Sequence, residues 1–328
     1  MKKNIALVTG GYSSESVISY KTAITIEANL DKEKFNVYVV DISPKGWTCE
    51  LPGGEKVDID KNDFSVSQNG DHIKFDAVFI GMHGTPGEDG KLQGYFDSLN
   101  IKYTGCDAAT SAITFNKRYT VAVAGMGGIS VAKSVHLFKS NALTAEQVAA
   151  SLSFPVFVKP NNGGSSIGMS KVYDSGQLQP AIDKAFKEDD QVLVEEMIQG
   201  REITIGVFRK GNDVITLPMT EIITEKDFFD FEAKYEGKSK EITPADIDET
   251  IAAKIREVAK KIYLIFNCHG VVRIDFIYNE TDSNPYMLEI NTIPGQSEAS
   301  LIPQQVRTMG MSLTAFYSSI LEDAFNRK

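Results

Sequence analysis

An α/β fold made of two or three packed units is predicted by three observations. The first hundred residues alternate strand-like and helix-like patterns. The remainder carries short strand pairs joined by Gly-, Asn- or Asp-rich turns. At 328 residues the chain also exceeds what a single core usually organises.

The first unit runs to about residue 105. Strand-like NIALVTG leads into Gly10-Gly11, a helix over about Val17 to Leu30, then strand-like FNVYVVDI and FDAVFIGMHG. This β-α-β order predicts a mainly parallel sheet, whose ligands collect at the carboxyl ends of its strands. Two segments sit at those ends: Gly10 to Glu15, with Ser19 one helical turn further, and Met82 to Gly90. Glu15 at a helix start either complements the helix dipole or faces a ligand. His83, one residue past an apolar strand, reads either as a structural imidazole or as a site group.

A helical stretch containing Asn116-Lys117-Arg118 follows, then strand-like ISVAKSVHLF and a helix over about Ala142 to Ser151, capped by Thr144. In SFPVFVKPNNGGSSIGMSKV, a buried strand ends on Lys159-Pro160, a Gly-rich loop spans Asn161 to Ser166, and a second strand starts near Gly168. Such a hairpin either folds over phosphates, with Lys159 supplying charge and Ser165 and Ser166 hydroxyls, or is an ordinary surface turn. It is not a Walker A loop, since no Gly-Lys-Ser/Thr or helix follows the glycines. A helix over Ser175 to Glu188 precedes strands QVLVEEMIQG and REITIGVF, where Glu195 and Glu202 flank apolar Met197-Ile198. That combination is either an adenine and ribose pocket or a sheet edge with solvated glutamates. Residues 225 to 243 mix aromatics and charges without periodicity and predict a loop able to close over a site. Asp246 to Phe266 is an amphipathic packing helix, and the chain ends in a short helix after Ser300 and a helix over Leu313 to Ala324.

The densest chemistry lies in residues 271 to 303. VVRIDFIY and YMLEIN flank a polar turn, the pattern of an antiparallel strand pair. Alternation puts Arg273 and Asp275 on one face of the first strand and Glu289 and Asn291 on one face of the second, with Ile274, Phe276, Leu288 and Ile290 toward the core. If the polar faces coincide, two carboxylates and an amide oxygen converge beside a guanidinium, a set that suits a magnesium ion completed by phosphate and water. The alternative is a half-solvated sheet. The second strand runs into Asn291-Thr292-Ile293-Pro294-Gly295, a tight loop that frees backbone N–H groups for a ligand.

Composition narrows the function classes. Hydrophobic residues are 42% and charged residues 24%, ordinary for a globular protein, and no run of about eighteen apolar residues occurs. A net charge of -10 argues against nucleic-acid or anionic-membrane partners. Three scattered cysteines and four histidines without ligand spacing fit a reduced, cytoplasmic protein with neither zinc nor a nucleophilic cysteine.

Six ordered segments, GGYSSESVIS, HGTPGEDGKLQG, VKPNNGGSSIGMSKV, VEEMIQGREIT, FFDFEAKY and RIDF through LEINTIPGQSEASLIP, resemble the D-alanine-D-alanine ligases of the ATP-grasp superfamily over nearly the whole chain. The resemblance implies a Rossmann-like domain over 1–106 and two ATP-grasp subdomains, 107–204 and 205–328, with ATP gripped between them. It implies ATP and Mg2+ (Mn2+ as substitute), two D-alanine molecules as substrates, and a cytoplasmic homodimer.

Residue roles follow from the same likeness. Lys117, Lys159, Ser165, Ser166 and Ile167 match the phosphate site. Glu195, Glu196, Met197, Ile198, Glu202, Phe228 and Lys234 match the rest of the nucleotide site, and Asp275, Glu289 and Asn291 the metal ligands. Glu15, with Ser19 and His83 beside it, matches the first D-alanine site. Lys234, Ser300 and Leu301 match the second, and Arg273 with the Gly295 amide the oxyanion stabilisers. Tyr235 and Ser165 match partners of Glu15 that tie the lid shut. Tyr235 in EAKY favours D-alanine as acceptor over D-lactate or D-serine, the acceptors of sister ligases. A non-catalytic ATP-binding module is the alternative of another class.

Overall fold

The computed structural model describes residues 2–68, 70–140, 143–164, 167–224 and 239–327. Ser165, Ser166, Phe228, Lys234 and Tyr235 lie outside them.

The N-terminal sheet is built from β1 (Lys3–Gly10), β2 (Phe35–Ser43), β3 (Gly46–Glu50), β4 (Lys56–Asp58) and β7 (Ala77–Ile80), in the order β4-β3-β2-β1-β7. A small hairpin, β5 (Val66–Gln68) with β6 (Asp71–Ile73), stands apart. Helix α1 (Ser16–Asn29) crosses from β1 to β2, and α2 (Lys91–Ser98) follows β7. β1 pairs in parallel with both β2 and β7, as the alternation predicts, but β3 and β4 add an antiparallel edge. Only Pro44 and Lys45 separate β2 from β3, and a link that short permits a hairpin and no parallel crossover.

Two helices, α3 (Ala108–Phe115) and α4 (Lys117–Met126), replace the single stretch expected around Asn116. Asn116 ends the first with an extended ψ of 104° and caps the second, its side chain accepting from Tyr119 N.

The middle sheet runs β10-β9-β11-β8, from β8 (Ser134–Phe138), β9 (Val156–Pro160), β10 (Ser170–Val172) and β11 (Gln191–Glu196), backed by α5 (Ala145–Ala149) and α6 (Leu178–Ala185). β9 and β10 form the expected hairpin around the Gly-rich loop. Thr144 caps α5 in a full capping box. Residues 129–133, read as strand, instead bridge two sheets: Ile129 is buried, Ser130 O accepts from Met287 N of the last sheet at 2.9 Å, and Lys133 O accepts from Glu196 N of β11 at 2.9 Å. The helix expected over Ser175 to Glu188 begins as a 3-10 turn and is α-helical only over Leu178–Ala185.

The last sheet is β15-β14-β12-β16-β17 with β13 paired to β12. Its strands are β12 (Arg201–Lys210), β13 (Asp213–Thr216), β14 (Thr220–Thr224), β15 (Ser239–Ile242), β16 (Val271–Asn279) and β17 (Asn284–Asn291). β15 is the end of the stretch read as loop: it pairs with β14 and anchors the returning chain. Helix α7 (Glu249–Ile265) lays Ala252, Ile255, Ala259, Ile262 and Tyr263 onto this sheet. Helices α8 (Leu301–Thr308) and α9 (Leu313–Asn326) complete the chain.

One apolar cluster joins the two ends of the chain. Ile5, Leu7 and Phe79 of the first sheet pack with Phe208 of β12 and with Phe316, Tyr317 and Ile320 of α9. The site below therefore spans elements tied through shared core.

Candidate active site

β16 and β17 pair in the register that the alternation requires. Arg273 faces Asn291 and Asp275 faces Glu289. Arg273 donates to both Asp275 oxygens at 2.9 and 2.8 Å and approaches Glu289 Oε1 at 3.9 Å. Asn291 Nδ2 donates to Asp275 at 3.2 Å and to Glu289 at 3.4 Å, holding two like charges together. Burial opposes the Arg273 charge, but Asp275, Glu289 and Glu88 outweigh it and hold the guanidinium protonated.

A β-bulge follows Asp275, where the register shifts and Phe276 faces Met287. It corrects one expectation. Ile274, Phe276 and Ile290 are core, but Leu288 is only half-buried, and Met287 takes the inward place, 3% exposed.

The two carboxylates and the Asn291 amide fit a hard cation. Two side-chain oxygens groups and an amide leave most of a shell to phosphate and water, as magnesium prefers. Among the described residues no cluster of three or more His, Cys, Asp or Glu suits a metal ion, so no all-protein cage competes.

Two groups behind this face escaped sequence reading. Thr204 on β12 pairs opposite Asp275 and its hydroxyl donates to Asp275 Oδ1. Gln305 on α8, fully buried, accepts from Gly206 N at 2.9 Å and donates to Thr204 O at 3.2 Å and Thr220 Oγ1 at 3.0 Å. The alternation of Glu202 and Thr204 along β12 was a usable signal for the first. A buried glutamine on a helix face offered none.

The second part of the site is made of loops. Glu15 precedes α1, and its backbone N donates to Ser13 Oγ at 3.3 Å. Gly84 has φ +67°, and a Cβ there would lie 2.5 Å from Ser13 Oγ and 2.7 Å from Glu15 Oε2. A Cβ on Gly164, in the β9–β10 loop, would lie 3.0 Å from Glu15 Oε1. Only glycines let both loops reach this carboxylate. Ser19 is fully buried and its Oγ accepts from His83 N at 2.9 Å.

His83 Nε2 meets Thr22 Oγ1 at 3.0 Å, and Ile293 supplies a backbone hydrogen bond. Burial and then the nearby Arg273 charge lower its pKa to about 4, against that hydrogen bond, so the imidazole is neutral near pH 7. Glu88 was not singled out from sequence: it accepts from Gly84 N at 2.7 Å, and burial followed by the Glu15 charge raises its carboxyl to about 8.

The β9–β10 hairpin is fastened to α4. Asn161, 1% exposed, accepts from Lys117 N through its carbonyl and from Arg118 N through its side chain. Lys117 Nζ donates to Gly163 O at 2.7 Å. Lys159 forms a mostly buried ion pair with Glu195. Glu196 accepts from Ser153 N at 2.8 Å, Met197 N donates to Pro155 O at 3.0 Å, and Met197, Ile198 and Glu202 are half-buried. Ile167 is exposed at the loop end.

At the far side, Ser300 caps α8 in position but not by side chain; its Oγ bonds Ser297 Oγ at 2.7 Å, and Leu301 is half-buried. A Cβ on Gly295 would lie 2.8 Å from Ser300 Oγ, so the glycine brings its own amide beside that hydroxyl.

This architecture has many solved counterparts. The chain superposes on the VanG D-Ala:D-Ser ligase from Enterococcus faecalis with a TM-score of 0.88 at 30% identity, covering 98% of this chain and 99% of that one. The D-alanine-D-alanine ligase from Bacillus anthracis complexed with ATP superposes at 0.78 with 27% identity, covering 98% and 97%. In sequence, the D-alanine--D-alanine ligase of Parabacteroides distasonis is 46% identical over 100% of this chain and 99% of its own length. That of Flavobacterium johnsoniae is 43% identical over 98% of each. The family profile "D-ala D-ala ligase N-terminus" matches residues 4–106, and "D-ala D-ala ligase C-terminus" matches 123–322. The chain therefore belongs to the D-alanine-D-alanine ligase family and has its ATP-grasp fold.

Proposed function

We propose that this chain is an ADP-forming ligase that joins two D-alanine molecules into D-alanyl-D-alanine, a step that supplies peptidoglycan precursors. The observation that carries the chemistry is the β16–β17 register, which sets Arg273, Asp275, Glu289 and Asn291 on one face, close enough to His83 and Glu88 for the Arg273 charge to act on both.

Glu15 receives the ammonium of the first D-alanine, with Ser19 and neutral His83 ordering the loop beside it. The carboxylate of that substrate attacks the γ-phosphate of ATP, giving an acyl phosphate and ADP. Lys117 and Lys159 hold the phosphates, with Ile167, Ser165 and Ser166 in the covering loop. Glu195, Glu196, Met197, Ile198 and Glu202 hold the base and ribose, and we assign Phe228 and Lys234 to the same nucleotide site. Asp275, Glu289 and Asn291 would hold Mg2+, or Mn2+ in its place, whose charge offsets that of the phosphates.

The amine of the second D-alanine, its carboxylate held by Lys234, Ser300 and Leu301 at the N-terminus of α8, attacks the acyl phosphate and expels phosphate. Arg273 and the Gly295 amide face the developing oxyanion. Residues 225–243, with Tyr235 and Ser165 joined to Glu15, serve as a lid that keeps water from the acyl phosphate.

We also propose three domains, with the last division just before Arg201, because β12 is continuous across 204 and 205. Among the described residues no helix is long and apolar enough to cross a membrane; a cytoplasmic homodimer is the arrangement we propose.

The test is phosphate release from ATP and magnesium with D-alanine, L-alanine, D-serine or D-lactate, with products weighed by mass spectrometry. Release that depends on D-alanine, with dipeptide appearing, is expected. ATP binding without turnover on any of the four would leave a non-catalytic module instead, and depsipeptide or D-alanyl-D-serine as the main product would make this a sister ligase.

A further inference from the structure

Thr22 and Thr25, one turn apart on α1, make opposite use of their hydroxyls. Thr25 Oγ1 donates to Lys21 O at 3.5 Å, the ordinary way a threonine inside a helix satisfies itself. Thr22, fully buried, turns its hydroxyl out of the helix toward two groups distant in the chain. Its Oγ1 meets His83 Nε2 at 3.0 Å and accepts from Gln296 N at 3.3 Å. Helix stability does not explain this arrangement, because neither partner belongs to α1.

Both partners stand in loops of the site. Ser19, one turn before Thr22, takes the His83 backbone N at 2.9 Å, so two hydroxyls of one helix grip that residue by its backbone and by its ring. The second hydroxyl also grips the loop that follows β17. Gln296 is bound there directly, and Ile293 meets the His83 ring through its backbone, so the ties fall on either side of Gly295. The Gln296 side chain folds back on the same loop: Nε2 donates to Pro294 O at 3.3 Å, and Oε1 accepts from Tyr317 OH at 3.4 Å. Thr22 itself is held by close approach of α1 to the sheet, since a Cβ on Gly81 would lie 3.5 Å from its Cγ2. A cavity of about 20 Å³ adjoins these bonds, with Thr22, Ile293, Pro294 and Gln296 in its lining. Loss of the hydrogen bonds therefore leaves the loop room to shift.

We propose that Thr22 is a positioning residue for the ligation: one hydroxyl, shared between His83 Nε2 and Gln296 N–H, fixes the Gly295 amide relative to the first-substrate site at the start of α1. The inference rests on the ligase reading above, in which that amide faces the oxyanion and Glu15 receives the first D-alanine. Thr22 touches neither substrate in this role. It sets the distance between the two loops that do.

Thr22→Val tests it, because valine keeps the shape of the side chain and drops the hydroxyl. The kcat for dipeptide formation is expected to fall about ten- to a hundredfold, the scale of an ångström-sized misplacement, while the KM for ATP stays near wild type. Amide hydrogen exchange in a peptide covering Ile293 to Gln296 should quicken, and exchange in the middle sheet should not. Thr22→Ser, which restores the hydroxyl, is expected to return both readings to near wild type. An unchanged kcat in folded Thr22→Val overturns the proposal, and so does a fall in kcat with the exchange of that loop unchanged. A serine variant as slow as the valine one overturns it as well, since the effect would then belong to the methyl group.

Thr22→Ala covers the case in which the valine variant melts early, with the same expectations and the same overturning results. Wild-type enzyme that releases no phosphate with D-alanine would instead remove the ligase reading itself. The exchange comparison does not depend on turnover, so the two failures are distinguishable.

Discussion

The two halves of the site solve the same problem by different means. The strand-borne half, Arg273, Asp275, Glu289 and Asn291, sets its carboxylates against a guanidinium or an amide across a ladder. The loop-borne half, around Glu15, holds two groups pushed toward neutrality by burial: the His83 imidazole is neutral and the Glu88 carboxyl is raised. The difference teaches that a strand ladder can hold charges in pairs, whereas a packed loop lowers the cost of burial by suppressing them.

The comparison is broken most severely on the strand side. On the function proposed above, Arg273→Ala removes the oxyanion donor, and it takes the two-pronged partner from the buried Asp275 carboxylate. Dipeptide formation should fall about 100- to 1000-fold in kcat, measured as D-alanine-dependent phosphate release. A fall below tenfold would place the oxyanion elsewhere.

On the loop side the signature is pH dependence. The folded pKa of His83, about 4, lies below the ordinary 6.5, so its share of stability is complete above pH 6.5 and is lost as pH falls toward 4. That share is about 3 kcal/mol. Denaturant titrations from pH 7 to 4 should show it as the difference between wild type and His83→Gln, and coinciding profiles would mean that His83 is not buried neutral.

Gly84→Ala comes next. The positive φ and the 2.7 Å approach to Glu15 predict a loss of about 1–3 kcal/mol, read in thermal melts and in first-site KM. A variant with neither changed would mean that the loop has room to spare.

The smallest effect belongs to the bulge. Leu288→Ala should cost about 1 kcal/mol or less, whereas Met287→Ala, at the inward place, should cost about 2–5 kcal/mol. Equal losses in urea titrations would refute the register shift.

The same contrast separates what is legible in the sequence from what is not. Arg273, Asp275, Glu289 and Asn291 were legible because a strand has a period of two and the register is set by the polar turn between. Leu288 misled because one extra residue in the ladder inverts the alternation, and no residue type announces a bulge there. Glu15 and His83 were visible as polar groups at strand ends, yet nothing in the spacing says that Gly84 and Gly164 bring two distant loops onto one carboxylate. Glu88 sits in HGTPGEDGKLQG, and neither its residue type nor its spacing marks it as buried. Its meaning comes from burial, a tertiary property. The stretch 225–243 lacked periodicity, and its last residues become a strand only because β14 offers an edge.

Gln305 gives the molecule an internal ruler. One amide, buried in β12, β14 and α8, spaces the helix that starts at Ser300 from the strand whose Thr204 steadies Asp275. The start of α8 and the strand behind Asp275 are thus cut from a single template. A change at this one amide would be felt by β12, β14 and α8 together.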